Sequence, residues 1–499
     1  MVRPPCKLQA MRFTTSSRRC SSLPSLCVLC VLCVLGVLSV SVGVACSTSA
    51  AEDPDSDGLR AGERKIVGAA RAYPADTTMR SRTEELRSSM SKRRKAAWAA
   101  IARTVAPVTG TAIAKSTSGA VTRKEIALPL FRTWYGADDY GRLFNKLYGD
   151  AGSANRVARK PFSSAEIDAA FAWNATYGGS WVEEDYLKRI KKLQDTRTVQ
   201  GLGGNGRVSY SPGYVRHFLN NYGAVNRCFT LLPNITDATP APSATNFSQC
   251  YNEEFPSDAA VIKASWRRTG ASSALPKVDT SAEALRAHLA ATGGKASGWP
   301  STEDVATMVK NPNAATIYSV TMTDGSDWRM PALHLITKEL RDWLWVTIWW
   351  SPDADKDFGA DRPQEIRALG GPWSNYKMCV VTAFDEMDPD PRGGFAGSLG
   401  DSLAATYGGV GAPSWCSNPF IEKGEHNAQT NCIGCHQHAG STTPLEEVIG
   451  NNAKHPKSGR TKERASFPTD YSWSYDHAPE AFSEVIRSAV QNYDAVDAR

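Results

Sequence analysis

Residues 432–436 read Cys-Ile-Gly-Cys-His, and no other stretch limits the chain so tightly. Two cysteines three apart, followed at once by histidine, form the attachment pattern of a c-type haem. Each thiol can bond a former vinyl group of the porphyrin, and helical i, i+3 spacing puts both on one face. His436 then lies beneath the iron and offers an imidazole nitrogen as proximal ligand. The same letters also occur in redox dithiols and as half of a zinc site. Zinc needs two further ligands; there is no second Cys-x-x-Cys, and His438, His455 and His477 are the donors left to supply them. A thioredoxin-like dithiol sits near the start of a strand–helix unit, whereas this motif follows a proline-containing loop. Cys432, Cys435 and His436 are therefore read as holding one covalent haem c.

The N-terminus bears on that reading, because c-type haem is attached on the outer side of the bacterial inner membrane. Arg3, Lys7, Arg12, Arg18 and Arg19 precede an apolar run from about Leu23 to Ala45, the charge-then-apolar order of an export signal. The run ends in Gly43-Val44-Ala45-Cys46, which resembles a lipoprotein processing site with Gly43 in place of the usual leucine. It is also long enough to span a bilayer, which takes about 20 apolar residues. Cleavage, lipidation at Cys46 and retention as a membrane anchor all stay open. The expected location is the periplasm or outer surface, with an N-terminal membrane tether.

Cysteine usage agrees with an oxidising compartment. With the leader cysteines, Cys46 and the haem pair set aside, Cys228, Cys250, Cys379 and Cys416 remain. Sequence proximity favours Cys228 with Cys250 and Cys379 with Cys416, four thiols being the alternative. The net charge of +6 over 499 residues is small and carries no nucleic-acid signature.

The expected fold class is α+β: a helical N-terminal part, an antiparallel sheet in the middle and a helical c-type haem segment at the C-terminus. Residues 1–46 form the leader. Residues 47–122, poor in large apolar side chains, read as a disordered basic linker, with Lys92-Arg93-Arg94-Lys95 on a solvated helical face. Residues 123–305 read as mainly helical, with a capping box at Ser163 and Glu166. Residues 306–415 read as β-rich, on the strand-like runs Pro331 to Leu340, Trp343 to Trp350 and Tyr376 to Phe384. Trp343, Trp345, Trp349, Trp350 and Trp373 crowd into that region, as sheet core or as walls of a flat cofactor. Residues 416–499 carry the haem motif, a loop and an amphipathic helix with Phe482, Val485, Ile486, Ala489 and Val490 on one face.

No methionine follows His436, which removes the downstream methionine ligand of small cytochromes c. Phe131-Arg132-Thr133-Trp134-Tyr135, Leu333-His334-Leu335-Ile336 with Lys338, Trp343-x-Trp345-x-Thr347, Phe358 to Pro363, Asn375-Tyr376 and Cys432 to His436 together resemble a family of exported bacterial proteins known as cytochrome c family proteins. The resemblance runs over roughly residues 128–475 and implies haem binding and electron transfer. It makes His334 the first choice for distal iron ligand and leaves His477 as runner-up; a hydrogen-bonded histidine within the sheet is the competing account of His334.

The sequence thus predicts an exported electron carrier with one haem and a redox partner protein. Two rival classes stay open: a haem-dependent oxidoreductase or peroxidase-like enzyme with an open iron, and a non-redox haem sensor or scaffold. A single haem passes one electron at a time, so a two-electron reaction would need a partner or a second centre.

Overall fold

A computed structural model of the chain describes chiefly residues 64–67, 69–136, 162–177, 206–228, 254–268, 275–281, 312–321, 327–382, 416–422, 432–436 and 470–472, with scattered single positions between them. Residues 53–499 form one compact unit. The leader, Cys46, Cys250, His477, the side chain of Cys435 and the expected helix around 482–490 lie outside the described residues.

The fold is α+β, built on a seven-stranded antiparallel sheet. Its strands are β4 (Tyr135–Gly136), β5 (Gly206–Tyr210), β6 (Ala260–Arg268), β9 (Ser319–Thr321), β10 (Asp327–Thr337), β11 (Leu344–Trp350) and β12 (Tyr376–Val381), in the spatial order β12-β11-β10-β6-β5-β4, with β9 also pairing with β10. All of β11 and β12 is buried, as expected of apolar runs covered on both faces. In β10 the pairing with β6 is irregular between Arg329 and Ala332, so Pro331 sits at a break in the ladder, where a missing N–H is tolerated.

Residues 135–268 depart from the mainly helical expectation, since they supply β4, β5 and the central strand β6. Strand β6 alternates Val261, Lys263 and Ser265 with Ile262, Ala264 and Trp266, but a lysine in the first set hides the period from a composition-based reading. The helices there are α3 (Ser164–Tyr177) and α4 (Pro212–Cys228). The capping box is present: Ser163 donates backbone and side-chain hydrogen bonds to Glu166 at 2.8 and 2.9 Å, and the Glu166 amide donates to Ser163 Oγ at 3.3 Å.

Of the stretch expected to be a disordered linker, residues 64–67 and 69–122 are described, and they are folded. It contains β1 (Arg64–Val67), α1 (Thr83–Arg87), α2 (Met90–Val105) and β2 (Pro107–Lys115), and β2 forms a hairpin with β3 (Val121–Pro129). Helix α2 buries Ala96, Ala97, Trp98, Ala100, Ile101 and Val105, mostly small side chains that raise composition little but make a continuous packing stripe. Of its basic cluster, Lys92 and Lys95 are exposed as expected, but Arg93 and Arg94 are buried. Arg93 donates to the carbonyls of Leu86 and Arg87 at 2.7 and 2.8 Å, taking up orphan carbonyls at the end of α1. Arg94 forms a bidentate pair with Asp361 at 2.5 and 2.6 Å and donates to the Phe358 and Met378 carbonyls at 2.6 Å each, the latter on edge strand β12. A short two-stranded sheet of β7 (Leu275–Pro276) and β8 (Met308–Val309) completes the strands.

The expected helical haem segment at the C-terminus is not supported among the described residues, where five helical residues are all that is seen of it. Helix α6 (Cys432–His436) is described, α5 (Gln364–Ala368) being the helix before it, and residues 416–422 lie against the sheet without forming a helix.

Candidate functional site

Strand register places four chemically active side chains in one row. Cys379 on β12 is opposite Thr347 on β11, Thr347 is opposite His334 on β10, and His334 is opposite Lys263 on β6. Directly opposed residues project to the same side of a sheet, so the row lies on one face. Trp345 and Trp349 flank Thr347 at two-residue spacing on that face and belong, with Trp343, to the hydrophobic cluster that also holds Cys416, Phe420, Ile421, Ile433 and Tyr471. Trp350 and Trp373 pack in the other cluster, so the tryptophan-rich run serves both faces.

A disulfide between Cys379 and Cys416 fastens the incoming segment to the row, in agreement with the pairing favoured by sequence proximity. Asn418 then donates from Nδ2 to Thr347 Oγ1 at 2.6 Å and to the Ile348 carbonyl at 3.0 Å, while its own Oδ1 accepts from the Phe420 amide at 2.9 Å. Glu422 folds back to accept from the Asn418 amide. Its Oε1 also lies 3.0 Å from His334 Nε2, within ion-pair distance. That approach misses hydrogen-bonding geometry, and the buried Nε2 has no hydrogen-bond partner among the described residues. We therefore treat the pair as a close charge neighbour and not as a formed hydrogen bond. Trp349 Nε1, on the same face, is likewise buried without a hydrogen-bond partner there.

The sequence motif docks beside this row. Its His436 ring packs on the Trp345 indole, centroid to centroid 4.4 Å, and Ile433 is fully buried beneath the helix. His436 Nδ1 is 3.0 Å from the backbone carbonyl oxygen of Tyr471. A carbonyl only accepts, so Nδ1 carries the proton and the lone pair sits on Nε2, the tautomer a metal requires. Part of the residue reaches solvent, but the ring itself is enclosed. Burial pushes the imidazole down to about 4; the Tyr471 carbonyl opposes this, and the positive fields of His334 and Lys263 add to the depression. At neutral pH the ring is uncharged. Burial also lowers the Lys263 ammonium, with Glu422 opposing.

The structure thus brings His334 and His436 to one face, with Cys432 half-buried at the start of α6. Lys263, Asn418, Glu422 and Tyr471 were missed as site residues by sequence reasoning, whereas Trp345 was among the tryptophans named as possible walls of a cofactor. Only the Cys379 and Cys416 spacing hinted that residues 416–422 return to the sheet. Among the described residues no three histidine, cysteine, aspartate or glutamate side chains are grouped to hold a metal ion by themselves. Such a face suits a metal that brings most of its own ligands, as a porphyrin iron does. On the donor chemistry, the neutral His436 and the orphaned His334 nitrogen fit a haem. Comparison of the chain with protein-family models, curated proteins and solved structures finds no match.

Proposed function

We propose that this chain is an exported c-type cytochrome that holds one haem through Cys432 and Cys435, with His436 as proximal ligand, and passes single electrons to a redox partner protein. The observation that carries the reading is the 3.0 Å hydrogen bond from His436 Nδ1 to the Tyr471 carbonyl, in a motif whose letters call for an axial histidine. The haem supplies a reversible one-electron iron couple. The chain's own residues do the rest: the Tyr471 carbonyl orients His436, Trp345 packs its ring, and the disulfide-anchored segment 416–422 closes the flank. His334 is the distal ligand in this proposal, its buried Nε2 being the nitrogen that needs a partner. The charged and apolar order of residues 3–45 and the resemblance to exported cytochrome c family proteins support delivery across the membrane, with a tether at the N-terminus.

One observation favours a second reading. Glu422 stands 3.0 Å from His334 Nε2, so that pair can stay together and leave the sixth iron position open for a small substrate or signal molecule. Optical and EPR spectra of the full chain, produced with a haem-maturation system, separate the two. Electron transfer through two histidines predicts low-spin iron, and His334→Ala converts it to high spin. A high-spin, ligand-accessible iron in the wild-type chain selects the second reading. Protein with intact Cys432 and Cys435 that carries no covalent haem after maturation overturns both.

A further inference from the structure

Four described non-glycine residues have φ in the left-handed region: Trp343 at 65°, Asp357 at 50°, Asp470 at 45° and Tyr471 at 66°. Each such residue is strained and persists only where its surroundings enforce it. Three of the four meet at one point. Trp343 Nε1 donates to the Asp470 carbonyl at 3.0 Å. Lys338, fully buried at the end of β10, donates to Asp470 Oδ1 at 2.7 Å, with its ammonium 5.4 Å from the Trp343 ring centroid. The Phe255 amide donates to Asp470 Oδ2 at 2.9 Å. On the far side of the turn the Tyr471 hydroxyl donates to Asp342 at 3.1 Å, and the Tyr214 and Ser472 hydroxyls share a hydrogen bond.

Among the described residues, this clamp presents the Tyr471 carbonyl to the site, where it meets His436 Nδ1. A chain needing merely to turn here would carry glycine, for which positive φ is no strain. An apolar pair could replace Lys338 and Asp470 with little loss of stability. We propose that Lys338 and Asp470, with Trp343, are positioning residues that lock the 470–471 turn, so that the Tyr471 carbonyl fixes the tautomer of His436 and strengthens it as an iron ligand. The inference rests on the haem reading. A proton held by a fixed acceptor raises the basicity of the opposite nitrogen, which favours the oxidised metal. Loosening the clamp therefore favours the reduced form.

The test uses Lys338→Met and Asp470→Asn in the full chain, with Arg94→Met as a control for lost stability on the opposite face and Lys338→Arg as the conservative replacement. Selective histidine ¹⁵N NMR of the haem-free chain is expected to show His436 protonated on Nδ1 in the wild type and in Arg94→Met, and a mixture of tautomers in the two clamp variants. In the holoprotein the clamp variants keep covalent haem, and their ferrous-to-ferric ratio at fixed potential rises up to about tenfold, about 59 mV for one electron. Lys338→Arg returns part of that shift. If Lys338→Met and Asp470→Asn do not fold, Trp343→Phe, which removes one N–H donor, is read in the same two ways. Folded clamp variants with wild-type tautomer and potential overturn the inference while leaving the haem reading intact. A wild-type chain without covalent haem overturns the haem reading, and the tautomer of the haem-free variants still decides the clamp.

Discussion

The two faces of the seven-stranded sheet are made by alternate residues of the same strands, and they differ in kind. One face sets Ile262, Ala264 and Trp266 of β6 beside Leu333 and Leu335 of β10, Val346 and Ile348 of β11, and Met378 and Val380 of β12. Ala97, Trp98 and Ile101 of α2 belong to the same cluster. The other places Lys263, His334, Thr347 and Cys379 in a row among Trp345 and Trp349. Burying polar groups costs free energy unless each is partnered, so a wholly stability-driven sheet would resemble the first face on both sides. The first face is not free of polar groups, since buried Arg207 and Ser209 of β5 lie opposite Ala264 and Ile262, but the second differs in carrying a polar row across four strands. Among the described residues, two buried ring nitrogens on this second face, His334 Nε2 and Trp349 Nε1, have no hydrogen-bond partner.

The largest effect that tests this contrast lies on the apolar face. Trp266→Ala removes a fully buried indole from the central strand and is expected to cost about 3–5 kcal/mol in urea denaturation, while chain that stays folded keeps the wild-type haem spectrum. A changed spectrum would mean that the faces are not separable. Next comes the covalent link of the polar face. Replacing Cys379 and Cys416 together by serine opens a crosslink of sequence separation 37 and is expected to cost about 2–4 kcal/mol. Hydrogen exchange should then quicken in residues 416–422 and leave β6 and β10 protected; uniform quickening would show that the link supports the whole sheet.

The smallest effect concerns the ion pair that ties α2 to the sheet edge. Arg94→Met is expected to cost about 1–3 kcal/mol at neutral pH, since Asp361 is partly exposed and the Met378 and Phe358 carbonyls lose their donor. The Arg94 guanidinium, with help from the Trp98 N–H, outweighs burial and holds the Asp361 carboxyl below its ordinary value. In the folded state this group binds fewer protons than in the unfolded state, so the pair's stabilisation is fully present above the ordinary carboxylate value. It is lost as pH falls through the depressed folded value. The difference between wild type and Arg94→Met should therefore be flat around neutrality and shrink in acid, by denaturation at a series of pH values. A difference that stays unchanged into acid would assign the cost of the variant to packing and the lost carbonyl hydrogen bonds alone.

Several elements were legible in the sequence because their signals are local. The Ser163 and Glu166 capping box needs only residues three apart, and its reciprocal hydrogen bonds are formed. Strands β10, β11 and β12 follow from apolar runs of strand length, and β11 is buried along all seven residues. The hairpin β2–β3 was not legible, because Val121 to Glu125 is exposed and gains strand geometry mainly from its partner. Arg93 and Arg94 misled for a related reason: a basic run reads as a wet surface, but carbonyl and carboxylate partners from 6 to 284 residues away make burial tolerable.

For the candidate site the division follows the same physics. The sequence by itself singled out Cys432, Cys435 and His436 as candidates, because haem attachment would demand a fixed short spacing that can be read without any fold. It also singled out His334, through resemblance, without saying what His334 would face. Only the tertiary structure set His334 opposite Thr347 and Lys263, set Glu422 at its Nε2, and turned the Tyr471 carbonyl onto His436. Those relations join residues 13 to 88 positions apart through strand register, a disulfide and a strained turn. None of these leaves a periodic trace in the chain, since each is decided by which strands lie side by side.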